Sequence, residues 1–192
     1  MTAPALLALV DDALATHYGH RPARASVSFV GVAPIEVLRF EPVPGQWVYA
    51  SLGMSAAPMT PADEFMMSGD GPRAELLLAL RDESGTHADV WRKLAILAAA
   101  PAVEGVVYRA DMTVDLGEPL TAGSRCTGGV VVAGELGPVE TGEGSVELLQ
   151  VVPALSTELA WARVRGTAAL RERWQQAGTD LLDLGRGPVA LS

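Results

Sequence analysis

Histidine is the residue type in this sequence most suited to metal binding or acid–base chemistry, but its spacing is not that of a recognised site. The three histidines are His17, His20 and His87, and the first two are close enough to share one face of a helix. A zinc site needs third and fourth ligands in a compatible geometry, and the sequence contains no HExxH motif and no cysteine–histidine cluster. We interpret His17 as a helix-terminal residue and His20 as a turn residue. We expect no metal and no cofactor.

The candidate nucleophiles are Cys126 and Ser55. Cys126 is the single cysteine, so it has no internal disulfide partner, and no base is evident beside it that would activate a thiolate. We therefore expect an inert thiol. Ser55 follows Gly53 and Met54, but the second glycine of a GxSxG nucleophile elbow is missing. A hydrolase or transferase stays open as an alternative, and it requires Ser55, Asp63, Glu64 or a histidine to converge in one pocket.

Residues 54–72 have the composition of a binding loop. The segment reads MSAAPMTPADEFMMSGDGP, has no clear period, and holds four of the six methionines. Long loops are often functional, and methionine suits surfaces that must adapt to a partner. The alternative is that these methionines fill the edge of the core. We predict that the partner-binding residues are Met54, Ser55, Met59, Asp63, Glu64, Met66 and Met67.

The overall charge favours a basic partner. The formal net charge is −9, from 23 acidic and 14 basic residues, so nucleic acid would be repelled at long range. The alternative reading is that the acidity only keeps the chain in solution. The longest later apolar run, residues 94–102, is shorter than the roughly 20 residues of a membrane span, and the N-terminus has no basic leader. We expect a cytoplasmic protein that does not bind membranes, and we leave its oligomeric state open.

These residues must be positioned by helices and strands whose order is visible in the hydrophobic pattern. Helical spacing predicts an N-terminal helix over 6–18 that ends at Gly19, a central helix over 86–100 and a final helix over 155–178. Strands are predicted at 26–30, 35–40, 47–52, 74–80, 105–115, 130–133 and 145–152. Consecutive strands without intervening helices argue against a doubly wound parallel fold. We predict an α+β fold, a mainly antiparallel or mixed sheet with N-terminal, central and C-terminal helices packed on it.

Two details of this scheme leave alternatives. Gly166 lies inside the final helical pattern, where glycine costs about 1 kcal/mol, so it marks either a close backbone approach or a break into two helices. An apolar cleft near Trp47 and Tyr49 could serve a small-ligand-binding regulator, and packing on a sheet face is the alternative. We treat residues 1–192 as one domain with its core at about 20–182, and residues 186–192 are a candidate disordered tail.

Several ordered landmarks resemble one family. Residues 47–55, WVYASLGMS, resemble a strand that ends in a hydroxyl–hydrophobic–Gly-Met-Ser signature, and Glu75 to Leu78 resemble the acid-led strand that follows. Residues 91–95 resemble a tryptophan-bearing helix. Val151-Val152-Pro153, Glu158 and Gly166 resemble a closing strand, proline, helix glutamate and later glycine. The family with these landmarks is suppressor of fused-like, and the resemblance covers roughly residues 20–182.

The resemblance implies a protein-binding domain without catalytic residues. Animal suppressor of fused proteins grip an extended peptide of a transcription factor between two domains, and this chain resembles the N-terminal domain only. Bacterial relatives are often standalone domains, some of which resemble immunity proteins that neutralise toxins. An acidic inhibitor fits a basic toxin electrostatically. We therefore expect a non-enzymatic protein-binding domain, with an immunity protein for a basic toxin as its specific form.

Overall fold

The computed structural model describes residues 1–61, 71–83, 85, 87, 89–142 and 144–191. The α-helices are α1 (Ala3–Tyr18), α2 (Val90–Glu104), α3 (Ser156–Arg165) and α4 (Thr167–Gln176), and a single 3-10 turn spans Met54–Ala56. The strands are β1 (Ala23–Val27), β2 (Ile35–Val43), β3 (Gln46–Leu52), β4 (Arg73–Arg81), β5 (Thr113–Asp115), β6 (Gly128–Ala133), β7 (Val139–Thr141) and β8 (Gly144–Ala154).

The described strands form one mixed sheet. Its order is β1-β2-β3-β4-β8-β6-β5, and β7 pairs with β8 beside this path. Every pairing is antiparallel except β4 with β8, which run parallel with Arg73 opposite Val146 and Leu77 opposite Gln150. The predicted α+β class, with a mainly antiparallel or mixed sheet and helices from the N-terminal, central and C-terminal parts, is confirmed.

Helices cover both faces of the central strands, and this explains the continuous apolar run of β4. Side chains alternate between faces along a strand, so Leu76, Leu78 and Leu80 pack in the core cluster that contains α2. Leu77 points the other way, into the cluster formed with α1. A strand buried on both faces reads as near-continuous hydrophobic sequence instead of alternating. The central position of β4 follows from that composition.

Helix α1 matches its prediction closely. Its buried residues Leu6, Val10 and Leu14 recur every four positions, which places them on one stripe of the helix. Gly19 follows with a φ of +75°, the left-handed conformation that ends helices and that glycine adopts without strain. The apolar stripe packs against the sheet face opposite α2.

The final helical segment is broken at Gly166. Helix α3 ends at Arg165 and α4 begins at Thr167, and Gly166 between them has φ +93° and ψ 148°, far from helical values. A Cβ built on Gly166 would meet no atom within 4 Å. Of the two alternatives left by the sequence, the break is therefore correct and the close backbone approach is not.

Some boundaries differ from the predictions for identifiable reasons. Helix α2 begins at Val90 instead of residue 86, and the carboxylate of Asp89, just before it, accepts a hydrogen bond from the Thr121 hydroxyl and does not cap the helix. Residue 86, where the helix was predicted to begin, lies outside the described residues. Within 105–115 only Thr113–Asp115 is a strand. The short strand β7 was not predicted.

Strand β8 also runs one residue past Pro153, where the sequence suggested an end. Pro153 lies beyond Gln150, the last residue of β8 that pairs with β4, so at that point β8 has only β6 beside it. A proline without an N–H donor is tolerated where a strand has a free side.

The residues after α4 return to the core. The backbone N–H of Arg81 donates to the Leu182 carbonyl at 2.8 Å, and Leu184 is fully buried. Arg186 is 7% exposed and forms a two-pronged ion pair with the buried Glu158, at 2.8 and 2.7 Å. Burial alone would raise the pKa of Glu158, but hydrogen bonds from Arg186 and from two backbone N–H groups lower it below its usual value.

In the described part of the chain, no helix is long and apolar enough to cross a lipid bilayer.

Candidate functional site

The main chain after β3 is organised by a buried carboxylate. Glu75, on β4, is fully buried, and its Oε1 accepts the backbone N–H groups of Gly53 and Ser55 at 2.8 and 3.0 Å. The Ser55 hydroxyl donates to the same oxygen at 2.6 Å, and the Ser51 hydroxyl donates to Oε2. The two oxygens of Glu75 therefore accept four hydrogen bonds, three on Oε1 and one on Oε2. Glu75 therefore fixes the path of Gly53-Met54-Ser55.

Two further contacts make this turn rigid. The Arg73 guanidinium donates to the Ser55 carbonyl at 2.7 Å. Gly53 has a φ of +136°, and a Cβ at this position would lie 2.9 Å from the Pro34 carbonyl oxygen. Only glycine fits both that conformation and that contact. The Gly-Met-Ser sequence at the end of β3 is thus required by the local backbone.

The structure places the predicted partner-binding residues in different settings. Met54 and Met59 are 6% and 2% exposed and belong to the core, and Ser55 is fully buried beside Glu75. The remaining predicted residues lie outside the described part of the chain: Asp63, Glu64, Met66 and Met67. A role of all seven in partner binding stays a prediction.

Met59 anchors the start of the segment predicted as a binding loop. Its backbone N–H donates to the Pro72 carbonyl at 2.8 Å, which joins the two ends of that segment. Its sulfur accepts the backbone N–H of Tyr108 at 3.4 Å. Met59 and Pro72, which flank residues 60–71, are therefore held next to each other.

A groove lies directly over the Gly53-Met54-Ser55 turn. Its volume is about 480 Å³. The lining is mostly apolar and comes from residues 31–35, from Gly53 to Pro61, and from the second half of α2. Val103, which lines it on α2, is 61% exposed, so an apolar side chain of the groove is open to solvent. An exposed apolar depression of this kind is typical of a binding surface.

The helix end beside this groove has an unusual local structure. Pro101 lies in the last turn of α2 and has no N–H to donate to the Leu97 carbonyl one turn earlier. The Tyr108 hydroxyl donates to that carbonyl instead, at 2.8 Å. Burial, together with the negative charge of Glu104, raises the pKa of Tyr108, so its hydroxyl keeps the proton it donates.

The electrostatics of the groove are acidic. Among the described residues that line it, only Glu104 is charged. The last carbonyl groups of a helix carry partial negative charge, and α2 ends at this wall, where Gly105 adopts the left-handed conformation. Both features favour a cationic group of a partner over an anionic one.

Among the described residues considered for catalysis, Ser55, Cys126 and the histidines do not come together at the groove, and Asp63 and Glu64 lie outside the described residues. The Ser55 hydroxyl donates to Glu75, and no described histidine lines the groove. Cys126 is buried, and burial raises the pKa of its thiol to about 11. The part of the chain that the structure describes contains no group of three or more histidine, cysteine or acidic residues that could hold a metal ion. Tyr49 is 3% exposed and lies in the core, with Trp47 packed against it.

The sequence did not predict that the second half of α2 forms one wall of the groove. Pro101 inside the apolar pattern 94–102 was an available signal, because proline in a last helical turn leaves a carbonyl that needs another donor. The role of Glu75 had a signal too: a lone carboxylate in an apolar strand must find donors nearby. Neither signal indicates which distant residues provide the partners.

Comparison with known proteins gives a consistent result. Residues 31–187 match the family model described as Suppressor of fused protein (SUFU). No functionally curated protein matches the sequence significantly.

Three solved structures share the fold. One is described as a "Putative SUFU (suppressor of fused protein) homolog" from Neisseria gonorrhoeae, with a TM-score of 0.67, 19% identity and 94% of each chain covered. A chain of the Sufu–Fu complex gives a TM-score of 0.63 at 17% identity and covers 91% of this chain and 84% of that one. Drosophila Suppressor of Fused gives 0.66 at 17% identity over 94% of this chain, which spans 50% of the Drosophila chain.

Proposed function

The chain belongs to the suppressor of fused family, and from that premise we propose that it acts by binding another protein. A protein of similar fold is found in a complex with Fu, so this fold can present a protein-binding surface. The observation that carries the proposal here is the open apolar groove over the Gly53-Met54-Ser55 turn. The residues Met54, Ser55, Met59, Asp63, Glu64, Met66 and Met67 belong to this proposal as the turn and the segment that follows it.

The turn beneath the groove suits binding because it is already ordered. Glu75 accepts the backbone N–H groups of Gly53 and Ser55, so Met54 between them lines the groove from a fixed position. A preorganised surface loses less conformational entropy when a partner binds, so more of the interaction energy appears as affinity. The buried Met54 and Met59 thus contribute by fixing the shape of the groove, whereas Val103 is exposed and can contact a partner directly.

The charge of the chain supports a basic partner. The net charge of −9 attracts cations at long range, and Glu104 with the C-terminal end of α2 provides a local acceptor at the groove. We place the chain as an immunity protein whose basic partner is a toxin. Binding would then neutralise the toxin without any reaction being catalysed.

The test uses a basic toxin candidate encoded by a neighbouring gene. The purified chain should bind it with 1:1 stoichiometry in calorimetry and should suppress its toxicity on co-expression. Val103→Arg replaces an apolar contact with a cation that would repel a basic partner, so it should weaken binding about tenfold or more. Val164→Arg makes the same change at an exposed position of α3, 82% exposed, and should leave binding unchanged.

Two results would count against different parts of this proposal. Equal binding by Val103→Arg and Val164→Arg would refute the groove as the binding site. If the chain bound the toxin tightly but the toxin stayed toxic when the chain was in excess, the immunity role would be refuted and the proposal of protein binding would stand. Met66→Asp and Met67→Asp examine the neighbouring segment in the same assay, where each should weaken binding if that segment contacts the partner.

A further inference from the structure

A second surface, at the opposite end of α2 from the groove, combines arginine with tryptophan. The guanidinium of Arg39, on β2, lies over the ring of Trp47 at 4.5 Å from its centroid. The guanidinium of Arg92, on α2, lies over the ring of Trp91 at 5.2 Å. Both arginines are exposed and both tryptophans are half-buried. We call these four residues the arginine–tryptophan surface.

The two pairs are neighbours across one small cavity. Arg39, Tyr49 and Trp91 line a depression of about 230 Å³, with Val37 between them. Trp47 is held in place by its indole N–H, which donates to the Asp82 carbonyl at 3.2 Å. The surface is therefore contiguous, and its aromatic rings are fixed before any partner arrives.

Neither arginine of this surface is in an ion pair with a carboxylate of the described residues. Nearby cations are paired: Arg24 with Asp11 and Glu36, and Lys93 with Glu118. Arg39 and Arg92, in contrast, form no ion pair with any residue that the structure describes. In a chain with a net charge of −9, these two exposed cations, each stacked on a tryptophan ring, remain able to pair with acids of a partner.

We infer that this surface binds an acidic segment of a partner protein. A guanidinium stacked on an aromatic ring still presents its N–H fork sideways to a carboxylate, so Arg39 and Arg92 can each take one acidic side chain. Arginine and tryptophan are also the residue types that dominate binding energy at protein interfaces. The cavity between them is smaller than the roughly 300 Å³ of typical small-molecule pockets, and its size suits one apolar side chain of the same segment.

This surface is separate from the groove of the proposed function. Trp91 and Glu104 are at opposite ends of α2, 13 residues apart, which corresponds to roughly 20 Å along a helix. The two ends have opposite electrostatic preferences, for acidic and for basic segments respectively. The inference stands on its own if the groove proves to have another role.

The experiment uses three short fluorescent peptides and the 192-residue chain. One peptide contains acidic and large apolar residues, the second has lysine in place of each acid, and the third has the acids with glycine in place of the apolar residues. Fluorescence anisotropy at low and moderate salt measures binding, and NMR follows the indole N–H signals of Trp47 and Trp91. We expect the acidic–apolar peptide to bind most tightly and to shift both signals.

Charge-changing variants locate the site. Arg39→Glu and Arg92→Glu should each weaken the acidic–apolar peptide about tenfold, the effect of losing one charge-assisted hydrogen bond. Arg165→Glu, which makes the same change at an exposed position of α3, is the matched control and should have no effect. Arg39→Gln keeps a planar group over Trp47 without the charge and should also weaken binding, which separates charge from folding.

Three results would overturn the inference. The first is equal binding of the three peptides. The second is an equal loss of affinity in Arg39→Glu and Arg165→Glu. The third is a self-association in sedimentation that Arg39→Glu abolishes while the acidic–apolar peptide fails to bind, because the occupant would then be a second copy of this chain.

Discussion

Replacement of Glu75 by alanine tests how the fold builds the groove. The substitution removes the carboxylate that accepts hydrogen bonds from the buried backbone N–H groups of Gly53 and Ser55. Each buried donor left without an acceptor costs about 1–3 kcal/mol. The Ser51 and Ser55 hydroxyls can rotate toward other acceptors, so we count only the two backbone groups and expect a loss of about 4 kcal/mol.

Glu75→Gln separates the charge from the shape of the side chain. The amide oxygen can take the place of Oε1 and accept the three donors from Gly53 and Ser55. The amide NH₂ then faces the Ser51 hydroxyl, which can turn and accept. We expect a loss of about 1 kcal/mol, the difference between a charged and a neutral acceptor.

Denaturant unfolding followed by circular dichroism measures both variants. A domain of this size melts about 2–4 °C lower for each 1 kcal/mol lost, so Glu75→Ala should also lower the melting temperature by about 8–16 °C. Glu147→Ala, an exposed glutamate on β8, is the control and should change stability by less than about 0.5 kcal/mol. If Glu75→Ala were as stable as this control, Glu75 would not be holding the turn and the preorganised groove would lose its physical basis.

Four further outcomes are expected from other parts of the structure. Arg186→Met should cost about 3–5 kcal/mol in chemical unfolding because it leaves the Glu158 carboxylate buried without its cation, whereas adding Glu158→Met should recover only part of that loss because the backbone N–H groups of Leu155 and Val189 then lose their acceptor. Because folding lowers the pKa of Glu158, the ionised side chain stabilises the fold above its unfolded-state pKa, and this stabilisation is lost as pH falls through the folded-state pKa. The melting temperature of Glu158→Gln should therefore fall less steeply on acidification than that of the parent, and an equal fall would contradict this. The Cys126 thiol, with its pKa raised to about 11, should react with a thiol reagent at neutral pH only as fast as the chain unfolds, and rapid labelling of the folded protein would show that burial does not protect it. Gly53→Ala should destabilise by more than about 1 kcal/mol, since its Cβ would lie 2.9 Å from the Pro34 carbonyl oxygen in a left-handed backbone. A variant as stable as the parent would mean that Pro34 moves freely.

The local pattern of the sequence was sufficient for the main elements. The four-residue recurrence of Leu6, Val10 and Leu14 predicted α1, and the largely apolar segment 74–80 predicted a strand. Gly166 marked either a close backbone approach or a break into two helices, and the sequence did not decide between them. These features are readable because the periods of helices and strands place residues that are close in sequence on one face.

The tertiary structure decided what those elements form together. The parallel pairing of β4 with β8 joins segments about 70 residues apart, and nothing in the pattern of either strand selects the other. The groove combines residues 31–35, the turn after β3 and the end of α2, and the arginine–tryptophan surface joins β2 and β3 to the start of α2. Arg186 and Glu158 are a pair only because the chain after α4 returns to the core. A hydrophobic period reports which side of an element is buried, whereas contacts between distant side chains depend on the packing of the whole sheet and its helices.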